Sequence, residues 1–138
     1  MSPVEVLLIV PLFILLIVIH EGIHGLAWSV SSGTGWSGIE FGFIKEMLTP
    51  YCTCIHPMQK KAYICGLLMP FLVLGLIPSV IGILMKSLFV FATGIIMILG
   101  AGGDLYIFWK ILRHRSSCKD QQFVDHPSEV GVVVFEKQ

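Results

Sequence analysis

Three long apolar runs dominate this chain, over roughly residues 4–30, 62–85 and 87–112. Each is long enough to cross a hydrocarbon core of ~30 Å as a helix. The middle run carries no charge, and Asp104 is the single acid of the last. A soluble domain of 138 residues, 55% of them hydrophobic and only 13% charged, cannot bury so much apolar surface. Nine basic residues balance nine acidic ones, which leaves no positive excess for a nucleic-acid partner. The expected fold is a mainly α membrane protein, a single integral membrane domain over 1–138 with three transmembrane helices and the lipid bilayer around it. No basic segment precedes the first run, which is also long and polar near its end, so it is not read as a cleaved signal.

The basic residues predict an orientation. Lys45, Lys60 and Lys61 lie between the first two runs, and Lys110, Arg113, Arg115, Lys119 and Lys137 lie at or beyond the end of the third. Only Lys86 falls on the other side. Positive charge gathers on the cytoplasmic face, so a multi-pass protein of the cell membrane is expected, N-terminus outside and C-terminus cytoplasmic.

The segment between the first two runs reads differently. SSGTGWSG is loop chemistry. Ile39, Phe41 and Phe43 then alternate with Glu40 and Gly42, as in a strand, and Tyr51 to Ile55 forms a second short apolar run. A β-hairpin over 38–57 is expected, with its turn around Met47 to Pro50. It must pack on the helices or line a wet cavity, because open strand edges do not face lipid. The cytoplasmic tail, 113–138, is polar and ends in VGVVVFE, a strand pattern that can pair with the hairpin's edge.

Against this apolar background, His20, Glu21 and His24 stand out as HEGIH, a match to H-E-x-x-H. Histidines four apart on a helix project from one face and can bind one metal ion, with the intervening Glu placed to take a proton from metal-bound water. Ionisable groups inside an apolar span are costly, and three within five positions point to function. A zinc site normally needs a third protein ligand. Asp104 is the favoured candidate, at a depth comparable with the two histidines. Gly100, Gly102 and Gly103 before it are expected to let helices approach closely. The alternative for Asp104 is a carboxylate paired with Lys110 or Arg113.

Cys52, Cys54 and His56, in CTCIH, form a rival metal set without a second pair at ribbon spacing. They read better as strand residues. Cys65 is expected to pack inside the second span, Cys118 is a tail thiol, His114 is expected to face headgroups, and His126 is a loop residue within reach of the site if the tail folds back.

Taken together, HEGIHG in the first run, GFIKE and YCTC in the hairpin segment, GGD in the third run and DHPSEVG in the tail resemble the small bacterial zincin-peptidase family. The resemblance covers nearly the whole chain. More distantly, the order of motifs resembles the site-2-protease-type intramembrane metalloproteases. That resemblance implies His20, His24 and Asp104 as zinc ligands and Glu21 as general base. The third run reads ILGAGGDLY, without the Asn and Pro that precede the Asp in those enzymes or the Gly that follows it, so no oxyanion stabiliser is assigned.

An intramembrane zinc metalloprotease is the expected function, acting on a membrane-embedded or membrane-proximal peptide held along the edge at Ile39 to Ile44 by strand addition. The tail strand is expected to compete for that edge. The alternative is a non-catalytic membrane zinc-binding or adaptor protein.

Overall fold

A computed structural model describes residues 3–46, 48–126 and 131–136. Helix α1 runs Pro3–Ser31, and Leu, Ile and Val sustain it past Pro11. It ends where Gly33 and Gly35 take φ of +74° and +64°, the left-handed region that glycine enters without strain. A short 3-10 turn, Gly35–Gly38, leads into the expected hairpin, β1 (Ile39–Ile44) and β2 (Thr49–Cys54). The strands are antiparallel, in register from Ile39 opposite Cys54 to Ile44 opposite Thr49. Of the expected turn, Met47 lies outside the described residues, as do Lys137 and the 127–130 part of the tail motif.

A two-residue strand, β3 (Met58–Gln59), precedes helix α2, Lys60–Leu84. Between Pro70 and Pro78 this helix widens into a π-helical stretch, Phe71–Leu76. Prolines supply no N–H to the helical ladder, and a local change of hydrogen-bond period accommodates them. A tight turn at Lys86, φ +53°, returns the chain into α3, Leu88–Gly100.

Glycines let α2 and α3 pack closely, but not the ones expected. A Cβ on Gly82 would sit 2.4 Å from the Phe91 nitrogen, and one on Gly94 would sit 2.4 Å from Ser79 Oγ. Gly100, Gly102 and Gly103 have open space where a Cβ would go, so they bring no helices together. They flank a break instead. The third apolar run is not one straight helix: α3 and α4 (Gly102–Arg113) meet at Ala101 with a 50° bend. A cluster of residues with poor helix propensity is a natural place for it.

The tail departs from expectation as well. An additional strand, β4 (Gln121–Asp125), pairs with both β3 and β5 (Val132–Glu136), giving a sheet of order β3-β4-β5. The tail strand therefore pairs with its neighbour across a short connection rather than with the hairpin edge. A local pairing closes a smaller loop.

The buried core gathers where the hairpin, the tail sheet and the helix ends meet: Trp28, Cys52, Cys54, Met58, Tyr63, Leu67, Ile111 and Phe123. Away from it, Met97 and Ala101 are buried but many apolar side chains face outward, with Leu7 78%, Leu84 76% and Leu99 74% exposed. Cys65 also lies exposed on α2, not packed inside as expected. Two helical stretches, Val10–Ser31 and Lys60–Leu84, are long and apolar enough to cross a membrane, and the bent α3–α4 pair makes a third if it counts as one span.

Candidate metal centre

Helical spacing puts His20 and His24 one above the other on α1, both buried. The break at Ala101 puts Asp104 in the first turn of α4 and against them. His20 Nε2 lies 3.1 Å from Asp104 Oδ2, His24 Nε2 lies 3.4 Å from the same oxygen, and the two Nε2 atoms are 3.2 Å apart. Among the described residues these three form the one group with ligand atoms close enough to share an ion. Ligands about 2.0–2.1 Å from a tetrahedral zinc are about 3.3 Å from one another, so this triangle has the edge length that zinc requires. Asp104 pairs with the two histidines and not with Lys110 or Arg113 among the described residues: Lys110 lies 5.4 Å from the Tyr106 ring and Arg113 4.9 Å from the Trp109 ring.

The orientation of His24 is set by its other nitrogen. Nδ1–H donates to the Gly66 carbonyl at 2.9 Å, which leaves Nε2 with its lone pair toward His20 and Asp104. In an unbroken helix that carbonyl would accept the N–H of residue 70, but residue 70 is a buried proline and has none. The next amide, Phe71, donates to Leu68. Pro70 thus leaves Gly66 O available to the histidine. Trp28 stacks on the His24 ring at 5.1 Å and donates from Nε1 to the Tyr63 carbonyl at 3.1 Å. A Cβ at Gly66 would fall 2.1 Å from the Trp28 ring, so this closeness demands glycine.

Glu21 stands beside the triangle, half-buried, and meets the hairpin. Ile55 N–H donates to Gly38 O at 2.9 Å, so by alternation the amides of 51, 53 and 55 turn toward β1 while those of Cys52 and Cys54 turn outward. The Cys52 amide is directed at the Glu21 carboxylate. The Cys54 amide donates to Asp125 Oδ2 at 3.3 Å. The next outward position on β2 is Pro50, which has no N–H to offer.

The rival ligand set does not converge. Cys52 and Cys54 are buried in the core, His56 lies exposed, and none joins the metal group among the described residues. His126 also lies outside that group, and its amide donates to Gly131 O at 3.0 Å. His114 meets Glu136 of the tail at 3.3 Å. Sequence reasoning missed Trp28, Tyr63, Gly66 and Pro70 as supports of the site. The available signals were a tryptophan one turn after His24 and a proline four residues after a glycine.

A helix-borne histidine pair, a carboxylate from a distant helix and an adjacent glutamate define a zincin-like class of site. The profile of the family described as "Putative zincin peptidase" matches residues 13–119, and the chain belongs to that family. No curated protein and no solved structure matches it. The family implies zinc as cofactor, and the His20–His24–Asp104 donor set suits it.

Proposed function

We propose that this protein is an intramembrane zinc metalloprotease, with His20, His24 and Asp104 as ligands and Glu21 as general base. The observation that carries the reading is the convergence of the three ligand atoms beside a glutamate, on helices whose outward faces are apolar. When bound, zinc supplies Lewis acidity toward a scissile carbonyl and makes a water acidic enough to ionise near neutral pH. Glu21 accepts the proton of the attacking water and returns it to the leaving amine.

The hairpin supports the choice of substrate. Both outward amides of β2 are directed at carboxylates, so the edge left for strand addition is β1, whose outward amides include Phe41 and Phe43. A peptide laid along it would be extended, with its carbonyls accessible. We take the substrate to be an unwound segment of a membrane protein. The chain is read as multi-pass in the cell membrane with its C-terminus cytoplasmic, on the distribution of Lys and Arg. The glycine-bearing loop at 31–38 is the path by which water reaches the site.

Co-expression with a membrane-protein substrate tests the reading. Glu21→Gln should keep one equivalent of zinc and abolish cleavage. Cleavage that survives with zinc still bound sinks the mechanism; zinc binding without cleavage in the wild type favours a zinc-binding adaptor.

A further inference from the structure

Asp125 holds a position that the metal chemistry does not explain. It closes β4, beyond the residues matched by the family profile, yet its carboxylate joins three elements. Tyr63 of α2 donates its hydroxyl to Oδ1 at 2.6 Å. Thr53 of β2 donates its hydroxyl to Oδ2 at 3.0 Å, and the Cys54 amide donates to the same oxygen at 3.3 Å. No core apolar residue could answer these three donors, and a half-buried carboxylate needs all of them to offset its own desolvation. Burial pushes the Asp125 carboxyl above the usual carboxylate range, while the bonds from Tyr63, Thr53 and Cys54 pull the other way.

Both elements bonded to Asp125, β2 and α2, lead to the metal centre. Along β2, the Cys54 amide held by Asp125 is two residues from the Cys52 amide directed at Glu21. Through α2, Tyr63 stacks on Trp28 at 5.6 Å, and Trp28 stacks on His24. Phe123, wholly buried two residues before Asp125, closes the far end of this column of rings at 6.1 Å from Tyr63. The outer edge of β2 is thus bonded to Asp125 at Cys54 and turned toward Glu21 at Cys52.

We propose that Asp125 is a positioning residue for the base: by holding Thr53 and Cys54, the tail fixes β2 where the Cys52 amide meets and orients the Glu21 carboxylate. The proposal rests on the reading of Glu21 as the general base. The tail is then a working part of the centre and not a cover over it, and its route of action is the closed edge of β2, not competition for the open edge of β1.

The test uses the full-length protein in detergent or vesicles, as wild type, Asp125→Ala, Asp125→Asn and Tyr63→Phe. Amide exchange at Cys52 and Cys54, zinc content and the kcat for cleavage of a membrane-segment substrate are measured on each. Removing the hydrogen bonds of the clamp should speed exchange at both amides and lower kcat, each by about tenfold, with one equivalent of zinc retained. Asp125→Asn, which keeps one of the two acceptor oxygens, should fall between wild type and Asp125→Ala. Unchanged Cys52 exchange, or unchanged kcat, in a folded Asp125→Ala protein overturns the proposal. So does loss of zinc, since the tail would then support the metal cage and not the base. If Asp125→Ala does not fold, Tyr63→Phe carries the test, because it keeps the ring stack and removes one donor; slower kcat with faster Cys54 and Cys52 exchange is again the expected result. Wild-type protein without zinc or cleavage refutes the functional reading alone, while the amide exchange still decides whether Asp125 clamps β2.

Discussion

Replacing Pro70 with alanine tests whether a proline can make a ligand's support. The substitution restores a backbone N–H four residues after Gly66, where the helical ladder would use the Gly66 carbonyl. That carbonyl accepts His24 Nδ1–H at 2.9 Å. A carbonyl has two lone pairs, so the new donor shares it and draws it back toward the helix axis without abolishing the histidine's bond. Losing an outer partner of a metal-bound histidine costs ~10–100-fold in metal affinity. Sharing places the expected loss near the lower end, about tenfold, or about 1.4 kcal/mol.

Stability should not follow affinity. Alanine is favoured over proline inside a helix by up to ~3 kcal/mol, against which stands the loss of part of a fully buried ring, ~1–2 kcal/mol. Zinc binding should therefore weaken while the metal-free protein unfolds at the same temperature or higher. Competition with a chelator of known affinity measures the first, and thermal unfolding without zinc measures the second. Zinc affinity within twofold of wild type would refute the argument that Pro70 releases the carbonyl. A parallel fall in both quantities would mean general damage to α2.

Further predictions concern the ligands, the packing and the thiols. His24→Ala and Asp104→Ala should each lose the equivalent of zinc, read by metal analysis of purified protein; retention in Asp104→Ala would remove it from the ligand set. Gly66→Ala drives a methyl into the Trp28 ring and should cost ~1–3 kcal/mol, whereas Gly102→Ala enters open space and should leave the unfolding temperature equal or raised. Burial, with smaller contributions from Glu21, Asp125 and Cys54, pushes the Cys52 thiol up to about 12. At pH 8 about one thiol in ten thousand is then ionised, so an alkylating reagent should label the half-exposed Cys118 long before Cys52, and Cys52 only as the pH approaches 12 or the fold opens. Mass spectrometry of the labelled sites checks the order, and native labelling of Cys52 at pH 8 would contradict it.

The parts of the site carried by side-chain type and spacing were readable in advance. HEGIH declares itself because two histidines at helical spacing interrupt an apolar run, and Asp104 because it is the lone acid of its run. The hairpin was readable from strict alternation at Ile39, Phe41 and Phe43. What stayed hidden was carried by backbone groups and distant partners. The Gly66 carbonyl has no signature of its own, and its availability depends on a proline one turn later. Strand β4 reads as QQFVD, polar and short, and its partner Met58–Gln59 lies far back in the chain, so no local pattern announces the pairing. The glycines at 100, 102 and 103 misled because glycine serves close packing and helix breaking alike, and only neighbours in space distinguish the two.

The bend at Ala101 has a mechanical consequence. Asp104 lies three residues from the pivot, ~4.5 Å along the axis, while the far end of α4 at Arg113 lies ~18 Å away. A 5° tilt of α4 about that point would carry Arg113 through about 1.6 Å but Asp104 through only about 0.4 Å, inside the ~0.5 Å tolerance of a functional constellation. Asp104 sits close to the fulcrum of its own helix. For a given tilt the outer end of α4, with Trp109 and Arg113, is displaced about four times as far as Asp104.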